Sequence, residues 1–308
     1  MDKILFFGTE HFAAAMLQSL VDAKSFDIVG VVTQPDRPVG RKQLLEETPV
    51  ATLATTYQIP LIKPDTLKNF ELPFTGYDYA AVCQYGLIIP ERIIKSAPAG
   101  FINVHPSLLP RWRGASPLQS TIIAGDKETA VSIMIMDKEM DHGPILSQQV
   151  VAVDPNETYE QLSLRLEPIA GELLVHTLKD WREEKIAPKE QDRDQVVFCK
   201  TFTREDGKVA WTNTAEQIYN AWRGLNPWPG LWTTLDGKRL KLITVKPSTD
   251  ELTSPAGTIH FTADKRVLVS TGALSLELLT IQPEGSRVLN GHEFTNGFGR
   301  YNDQILGL

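Results

Sequence analysis

The sequence predicts an α/β domain built on a mostly parallel sheet, followed by a smaller all-β domain. Apolar strand runs alternate with amphipathic helices in the first half, and short strands separated by turns fill the end of the chain. A charged stretch with little hydrophobic periodicity lies between them. We therefore predict a first domain at residues 1–183, a linker at 184–206 and a second domain at 207–308.

The first domain begins with a strand–turn–helix–strand unit. Residues 3–7 (KILFF) predict a buried strand, Gly8 and Thr9 a turn, HFAAAMLQSLV a helix, and residues 27–33 a second strand. Units of this kind build an open, Rossmann-like sheet. The turn lacks the G-x-G-x-x-G spacing, so a dinucleotide site is not expected there.

The same alternation continues along the chain. Strands are predicted at residues 60–62, 77–83, 101–104, 130–136 and 145–153, and helices at 49–57, 116–124 and 157–181. Pro168 lies inside the last helical pattern and predicts a kink or a split in that helix. In the second domain, a helix at 214–225 and the stiff turn NPWPG precede five short strands, which predict an OB-fold-like β-barrel.

Composition and charge exclude several classes of protein. Hydrophobic residues make up 42% and charged residues 22% of the chain, as in an ordinary soluble globular protein. The two cysteines, Cys83 and Cys199, lie far apart and predict neither a disulfide framework nor a metal site. Neither a signal peptide nor an apolar run long enough to span a membrane is evident, so we predict a cytoplasmic protein without membrane contact.

The charge is unevenly distributed. The net charge of −7 argues against general affinity for nucleic acids. Residues 207–308, however, hold ten Lys and Arg against nine Asp and Glu, so the acidic excess lies in the first 206 residues. Local basic patches on an acidic protein are compatible with this distribution.

Residues 101–117 (FINVHPSLLPRWRGASP) carry the clearest chemical signal. Alternate residues of a strand point to the same face, so Asn103 and His105 project together at the end of the predicted strand. An amide beside an imidazole can polarise a carbonyl group and move a proton. Asp141 follows a second apolar strand, in MIMDKEMDHGPI, and a carboxylate there would orient the imidazole. His142 is expected to point away from this group.

These motifs, N-x-H, SLLP, R-x-R-G and an MD-x-G loop in that order, resemble the formyltransferase family that uses 10-formyltetrahydrofolate. The resemblance implies that Asn103, His105 and Asp141 are catalytic, that 10-formyltetrahydrofolate is a co-substrate, and that no metal is needed. Its pterin pocket would lie against QYGLIIP. The implied folate contacts are Tyr85, Gly86, Leu87, Ile88, Ser107, Leu108, Leu109, Pro110, Asp137 and Gly143.

Two further segments narrow the resemblance to the methionyl-tRNA formyltransferases. TQPDRPVGRK, at residues 33–42, is similar to the loop that contacts the acceptor stem in that family, and the C-terminal domain introduced by NPWPG is similar to its second domain. The resemblance implies initiator methionyl-tRNA as the second substrate, contacted through Arg37, Arg41 and Lys42. The protein is expected to be a monomer.

Two alternatives remain open at this point. Sugar-nucleotide formyltransferases have a similar tail, and their acceptor is an amine on a sugar nucleotide. A non-catalytic OB-fold protein that binds nucleic acid is the alternative of a different class, with Trp222, Trp228, Trp232, Arg223, Lys238, Arg239 and Lys241 as its candidate contacts. The presence of Asn103, His105 and Asp141 together favours an enzyme.

Overall fold

The computed structural model describes residues 1–39 and 44–307, and the chain forms two compact units. The N-terminal unit comprises residues 1–117, 128–152 and 161–200, and the C-terminal unit comprises residues 118–127, 153–160 and 201–308. Each unit combines three separate ranges of the chain, whereas each predicted domain is one continuous range. The predicted domain boundaries therefore remain predictions. In chain order the elements up to residue 200 are β1 Asp2–Gly8, α1 His11–Asp22, β2 Phe26–Val32, β3 Arg37–Val39, β4 Leu44–Glu46, α2 Pro49–Thr56, β5 Leu61–Ile62, β6 Tyr79–Cys83, α3 Glu91–Ile94, β7 Phe101–His105, β8 Arg113–Gly114, α4 Pro117–Ala124, β9 Glu128–Ile135, β10 Ile145–Ala152, α5 Tyr159–Arg182 and β11 Phe198–Cys199.

The N-terminal unit is organised around a seven-stranded sheet in the order β10-β9-β7-β6-β1-β2-β5. Strands β7, β6, β1, β2 and β5 pair in parallel, whereas β9 is antiparallel to β7 and β10 is antiparallel to β9. Strand β1 is apolar and buried from Ile4 onward, and β6 is buried along its whole length, as expected for strands with both faces covered. This confirms the predicted Rossmann-like, mostly parallel sheet.

Three local expectations need correction. Helix α5 is continuous through Pro168, so a split at this residue is wrong, while the alternative of a kink stays a prediction. The predicted loop at 33–42 contains β3, which pairs antiparallel with β4. The predicted linker contains β11, which pairs with β8, and Lys189 pairs with Ile145. In the last two cases the paired strands are only two or three residues long, or the partner is distant in the sequence, so no periodic pattern predicts the pairing.

The C-terminal unit contains α6 Ala215–Leu225, β12 Leu231–Leu235, β13 Lys238–Ser248, β14 Ile259–Phe261, β15 Val267–Ser270, β16 Ser275–Pro283, β17 Leu289–Asn290 and α7 Gly291–Gly297. The five predicted strands form an antiparallel sheet in the order β12-β13-β16-β15-β14, and the short β17 pairs with β16. Within the described residues no pairing joins β12 to β14, so closure into a barrel is not seen. Trp211, Leu240, Val269 and Phe294 belong to the core of this unit.

Among the described residues, no helix combines the length and the apolar character needed to cross a bilayer.

Helix α5 offers a direct test of how it packs, because Leu166 is fully buried and Leu164, two residues earlier, is 58% exposed. Replacing Leu166 with Ala removes buried methyl groups and leaves a cavity, which costs about 2–5 kcal/mol of stability. Leu164→Ala, the matched control, should change stability by less than about 0.5 kcal/mol. Urea unfolding of both variants measures the difference, and equal midpoints would contradict this packing of α5.

Candidate active site

The candidate site forms over one face of β7. Asn103 lies opposite Val82 of β6 and Met134 of β9, and His105 lies opposite Ser132 of β9. The side chain of Asn103 is partly buried, whereas only 4% of His105 is accessible. The two side chains share a face because they are two residues apart on a strand, as predicted.

Asp141 reaches this face from the loop between β9 and β10. Its Oδ1 lies 3.4 Å from the Asn103 Nδ2, which donates to it, and 3.6 Å from the His105 Nδ1. The second distance is too long for a hydrogen bond and marks a charge contact when the ring is protonated. Asp141 Oδ2 accepts a short hydrogen bond of 2.7 Å from the backbone N–H of Gly114. The structure thus brings together the three residues that the sequence singled out.

The ring of His105 is oriented by a backbone carbonyl. Its Nε2 lies 2.9 Å from the carbonyl oxygen of Trp112, which can only accept a hydrogen bond. In the neutral ring the proton therefore resides on Nε2, and the lone pair on Nδ1 faces Asp141. A second proton, taken up at Nδ1, would face the carboxylate. The geometry thus makes Nδ1 the atom that can accept a proton.

His142 belongs to a different pair. Its Nδ1 lies 2.6 Å from Asp137 Oδ2, and both side chains are partly exposed. A carboxylate accepts, so the proton of the neutral His142 ring resides on Nδ1. In their neutral forms His105 and His142 therefore have opposite tautomers.

Three residues around the site have left-handed backbone conformations that side chains rarely adopt. They are Gln84 after β6, Trp112 after β7 and Asp141 after β9, with φ of 44°, 63° and 49°. Such residues cost free energy and persist only where surrounding contacts hold them, and they cluster at functional sites. Trp112 and Asp141 are the two of these residues that contact the ring of His105.

Sequence reasoning missed a buried network that holds the Asp141 loop. Gln191 Nε2 donates to the carbonyl oxygens of Asp141 at 2.9 Å and Gly143 at 2.8 Å. Gln191 Oε1 accepts from Arg113 Nε and Nη2 at 3.1 and 2.9 Å. Burial lowers the pKa of the Arg113 guanidinium, and the carboxylates of Asp141, Asp137 and Glu139 act in the opposite direction. The R-x-R-G motif pointed to Arg113, but nothing in the sequence pointed to Gln191, since it lies in a segment without periodicity.

A cavity of about 800 Å³ opens beside the turn between β1 and α1. Thr9, His11, Gln34 and Arg37 are among the residues that line it, together with the carboxylates of Glu10, Glu46, Glu47 and Glu167. Burial raises the pKa of Glu167. A lining with so many carboxylates disfavours a polyanionic ligand inside the cavity. In the part of the chain that the structure describes, no cluster of three or more His, Cys, Asp and Glu side chains could hold a metal ion.

Family models cover most of the chain. Residues 2–178 match the formyl transferase model, and residues 201–299 match the model of the formyl transferase C-terminal domain. The chain belongs to the formyltransferase family.

Relatives that match nearly the whole chain agree with this assignment, and a solved structure shows a similar fold. The chain is 37% identical to a methionyl-tRNA formyltransferase of Lactobacillus gasseri, covering 98% of this chain and 97% of the relative. It is 38% identical to a methionyl-tRNA formyltransferase of a Roseiflexus species, covering 99% of this chain and 95% of the relative. The fold is similar, with a TM-score of 0.67 at 16% identity, to an N-formyltransferase from Helicobacter canadensis in complex with folinic acid and dTDP-3-aminofucose, covering 92% of this chain and 100% of the other.

The residues expected to contact folate differ in their exposure. Ile88 is 89% exposed and Gly86 is exposed, with a φ of 79°. Tyr85 is buried against Phe7, and burial raises the pKa of its hydroxyl to about 12. Leu87, Leu108, Pro110 and Asp137 are partly exposed, whereas Ser107, Leu109 and Gly143 are buried. Only the exposed and partly exposed residues of this set have side chains accessible to a ligand. The folate roles of all of them remain predictions.

Of the residues expected to contact tRNA, only Arg37 lies within the described residues, since Arg41 and Lys42 fall outside them. Arg37 is exposed, and one of its terminal nitrogens donates to Gln34 Oε1. Gln34 Nε2 in turn donates to the carbonyl oxygen of Tyr85 at 2.7 Å. Lys63 contacts both Asp36 and Glu47 and so links the two sides of this segment.

The opposite tautomers of His105 and His142 can be measured directly. With ¹⁵N-labelled histidine, long-range ¹H–¹⁵N spectra are recorded at a pH at which both rings are neutral. They should show the proton of His105 on Nε2 and that of His142 on Nδ1. His105→Gln and His142→Gln variants assign the two rings. Finding His105 protonated on Nδ1 would contradict the hydrogen bond to Trp112.

Proposed function

We propose that this chain transfers the formyl group of 10-formyltetrahydrofolate to the α-amino group of methionine on initiator methionyl-tRNA. The observation that carries the proposal is the convergence of Asn103, His105 and Asp141 in a chain that aligns over its full length with methionyl-tRNA formyltransferases. A folate co-substrate is supported by the family and by the folinic acid named with the Helicobacter canadensis structure.

The proposed chemistry begins with attack of the neutral amine on the formyl carbon. The new C–N bond converts the carbonyl oxygen into an oxyanion of a tetrahedral intermediate. The Asn103 amide has two hydrogens, and its contact with Asp141 uses one of them, so the other can be donated to that oxyanion. A preorganised donor of this kind is worth about 3–4 kcal/mol of transition-state stabilisation.

His105 is the proposed proton carrier. Its Nδ1 accepts a proton from the attacking amine, which leaves an imidazolium whose two N–H groups face the carbonyl of Trp112 and the carboxylate of Asp141. The proton then passes to N10 as the C–N10 bond breaks, directly or through water. The products are formylated methionyl-tRNA and tetrahydrofolate, and the protons balance without a metal ion.

The acceptor distinguishes the proposal from its nearest alternative. The sugar-nucleotide ligand named with the Helicobacter canadensis structure belongs to a protein only 16% identical to this chain, whereas the two methionyl-tRNA formyltransferases described above are 37% and 38% identical. Formyl transfer to methionyl-initiator tRNA, and little to dTDP-linked amino sugars with the same folate donor, is the expected result. Preference for the amino sugar would overturn the proposal.

The C-terminal unit is proposed to contact tRNA. Trp232 has Arg239 over its ring at 3.9 Å and Lys208 at 5.9 Å, and Trp228 is 56% exposed. Arg223 is buried and donates to the carbonyl of Glu157 and to Asn220, so it supports the fold instead. Residues 207–308 hold ten Lys and Arg against nine Asp and Glu, so this range suits a polyanion better than the acidic first 206 residues. The non-catalytic alternative would need these contacts but leaves the grouping of Asn103, His105 and Asp141 without a purpose.

Alanine variants test the three proposed catalytic residues. Asn103→Ala should lower kcat by about 10²–10³-fold through loss of the oxyanion donor, and His105→Ala by about 10²–10⁴-fold through loss of proton transfer. Asp141→Ala should cost a similar factor because it removes the carboxylate that faces His105 Nδ1 and accepts from Asn103. His176, 68% exposed on α5, provides the control His176→Ala, which should retain wild-type kcat. A His105→Ala protein with near-normal turnover would exclude the proton-transfer role.

Arg37 tests the proposed tRNA segment. Arg37→Ala should raise KM for tRNA and lower the slope of log affinity against log salt by about 1, as expected for one lost phosphate contact. Affinity for the folate donor should stay constant, since the bond between Gln34 and Tyr85 remains. Lys95→Ala, which removes an exposed cation elsewhere in the same unit, is the matched control. An equal loss of folate affinity would show that Arg37 supports the folate site instead.

A further inference from the structure

The chain pairs with other strands both before and after Gln191, and this pairing fixes its position. Two positions before it, Lys189 exchanges backbone hydrogen bonds of 2.8 Å with Ile145 of β10. After it, Phe198 and Cys199 of β11 pair with Arg113 and Gly114 of β8. Only 8% of Gln191 is accessible. The segment predicted as a linker therefore delivers one buried amide to the candidate active site.

The amide of Gln191 uses all of its strong hydrogen-bonding positions. Its two N–H hydrogens go to the carbonyl oxygens of Asp141 and Gly143, and its oxygen receives two donors from Arg113. The reverse amide orientation would place oxygen against two carbonyls and NH₂ against a guanidinium, so it is excluded by the partners. The amide has one orientation and links two loops.

These contacts close a ring around Asp141. Arg113 holds the Gln191 side chain, and the next residue, Gly114, donates its backbone N–H to Asp141 Oδ2 at 2.7 Å. Gln191 grips the carbonyl of the same aspartate at 2.9 Å. Gly114 has a φ of 125°, and a Cβ there would lie 2.5 Å from the carbonyl oxygen of Cys199, so the ring accepts only glycine at this position. The side chain of Asp141 is thus held by Gly114 of β8, and its backbone carbonyl is held by Gln191, which contacts Arg113 of the same strand.

Asp141 needs such support because its backbone is left-handed, with a φ of 49°. An aspartate in this conformation stays there only when its surroundings hold it. We propose that Gln191, held by Arg113, is a positioning residue that keeps the Asp141 carboxylate oriented toward Asn103 and His105; the inference rests on the proposed formyl transfer. Gln191 itself touches none of the reacting groups.

The inference predicts a loss of turnover without a loss of binding. Without the amide, the carbonyls of Asp141 and Gly143 and the guanidinium of Arg113 lose their partner, and the loop relaxes. A displacement of about 1 Å at a catalytic group can cost about 10²-fold in rate. Gln191→Met keeps the length of the side chain but removes the amide, and should lower kcat about 10–100-fold with KM for both substrates within about twofold.

Gln195→Met is the matched control, since that amide lies four residues on, is exposed, and donates to Asp192 at 2.8 Å. A double-mutant cycle separates positioning from general destabilisation. If Gln191 acts through Asp141, Gln191→Met should have little further effect on kcat in an Asp141→Ala background. The same fold-loss in both backgrounds, or equal losses in the Gln191 and Gln195 variants, would overturn the inference.

Hydrogen exchange provides a readout that does not depend on activity. In Gln191→Met the Gly114 amide, which donates to Asp141, and the amides of the 136–144 loop should exchange faster than in the wild type, with the rest of the sheet unchanged. Unchanged exchange in these segments would overturn the inference even if activity fell. A wild-type protein without formyl transfer would instead reject the proposed function and leave the exchange result to decide the positioning role.

Gln191→Glu covers the case in which the methionine variant does not fold. A glutamate keeps the size of the side chain and the acceptor for Arg113, but it places an oxygen where Gln191 donates to two carbonyls. We expect a folded protein with kcat lowered by at least about tenfold and faster exchange in the 136–144 loop. Wild-type turnover in this variant would show that the two donor bonds are not needed.

Discussion

The hydrogen bond from the Gly114 N–H to Asp141 Oδ2 is the contact on which the arrangement of the site depends. At 2.7 Å it is short, as expected when the acceptor is a carboxylate. It occupies the far oxygen of Asp141, and so the near oxygen faces Asn103 and His105. One backbone donor thereby decides which part of the carboxylate meets the proposed catalytic groups.

The sheet makes this contact possible by placing an antiparallel strand beside a parallel one. Strand β7 pairs in parallel with β6 on one side and antiparallel with β9 on the other. The loop after β9 begins beside Phe101, where the Met136 N–H donates to the Phe101 carbonyl at 2.7 Å, and extends toward Asn103. The loop after β7 returns to place the carbonyl of Trp112 on His105. Two loops from neighbouring strands therefore converge on one face of β7.

A buried cation, the guanidinium of Arg113, lies near the carboxylates of the Asp141 loop. Arg113 is only 5% exposed, and its charge is balanced by the carboxylates of the Asp141 loop and by the oxygen of Gln191. Removing one partner of a buried charge is costlier than removing a surface pair. The buried guanidinium thus stabilises the observed position of the Asp141 loop, while the exposed cations proposed for tRNA contact lie elsewhere on the chain.

The sequence by itself determined the class of fold and most of its strands and helices, and it singled out the three residues that lie together in the candidate site. Periodicity identified β1, α1, β7 and α6 because their apolar faces repeat at the spacing of a strand or a helix. The motifs around Asn103, His105 and Asp141 indicated the chemistry because the same residue types recur in the same order in a known family.

Only the tertiary structure decided how those residues are held. Gln191 lies 50 residues after Asp141 in a stretch without hydrophobic period, and the β8–β11 pair is two residues long. Pro168 leaves α5 continuous, since the helix is packed along its length by buried residues such as Leu166 and Leu174. The tautomer of His105 depends on a carbonyl seven residues away that a left-handed Trp112 turns toward the ring. Contacts of this kind arise between segments that the sequence does not place together, because short pairings and single side-chain hydrogen bonds leave no repeating pattern.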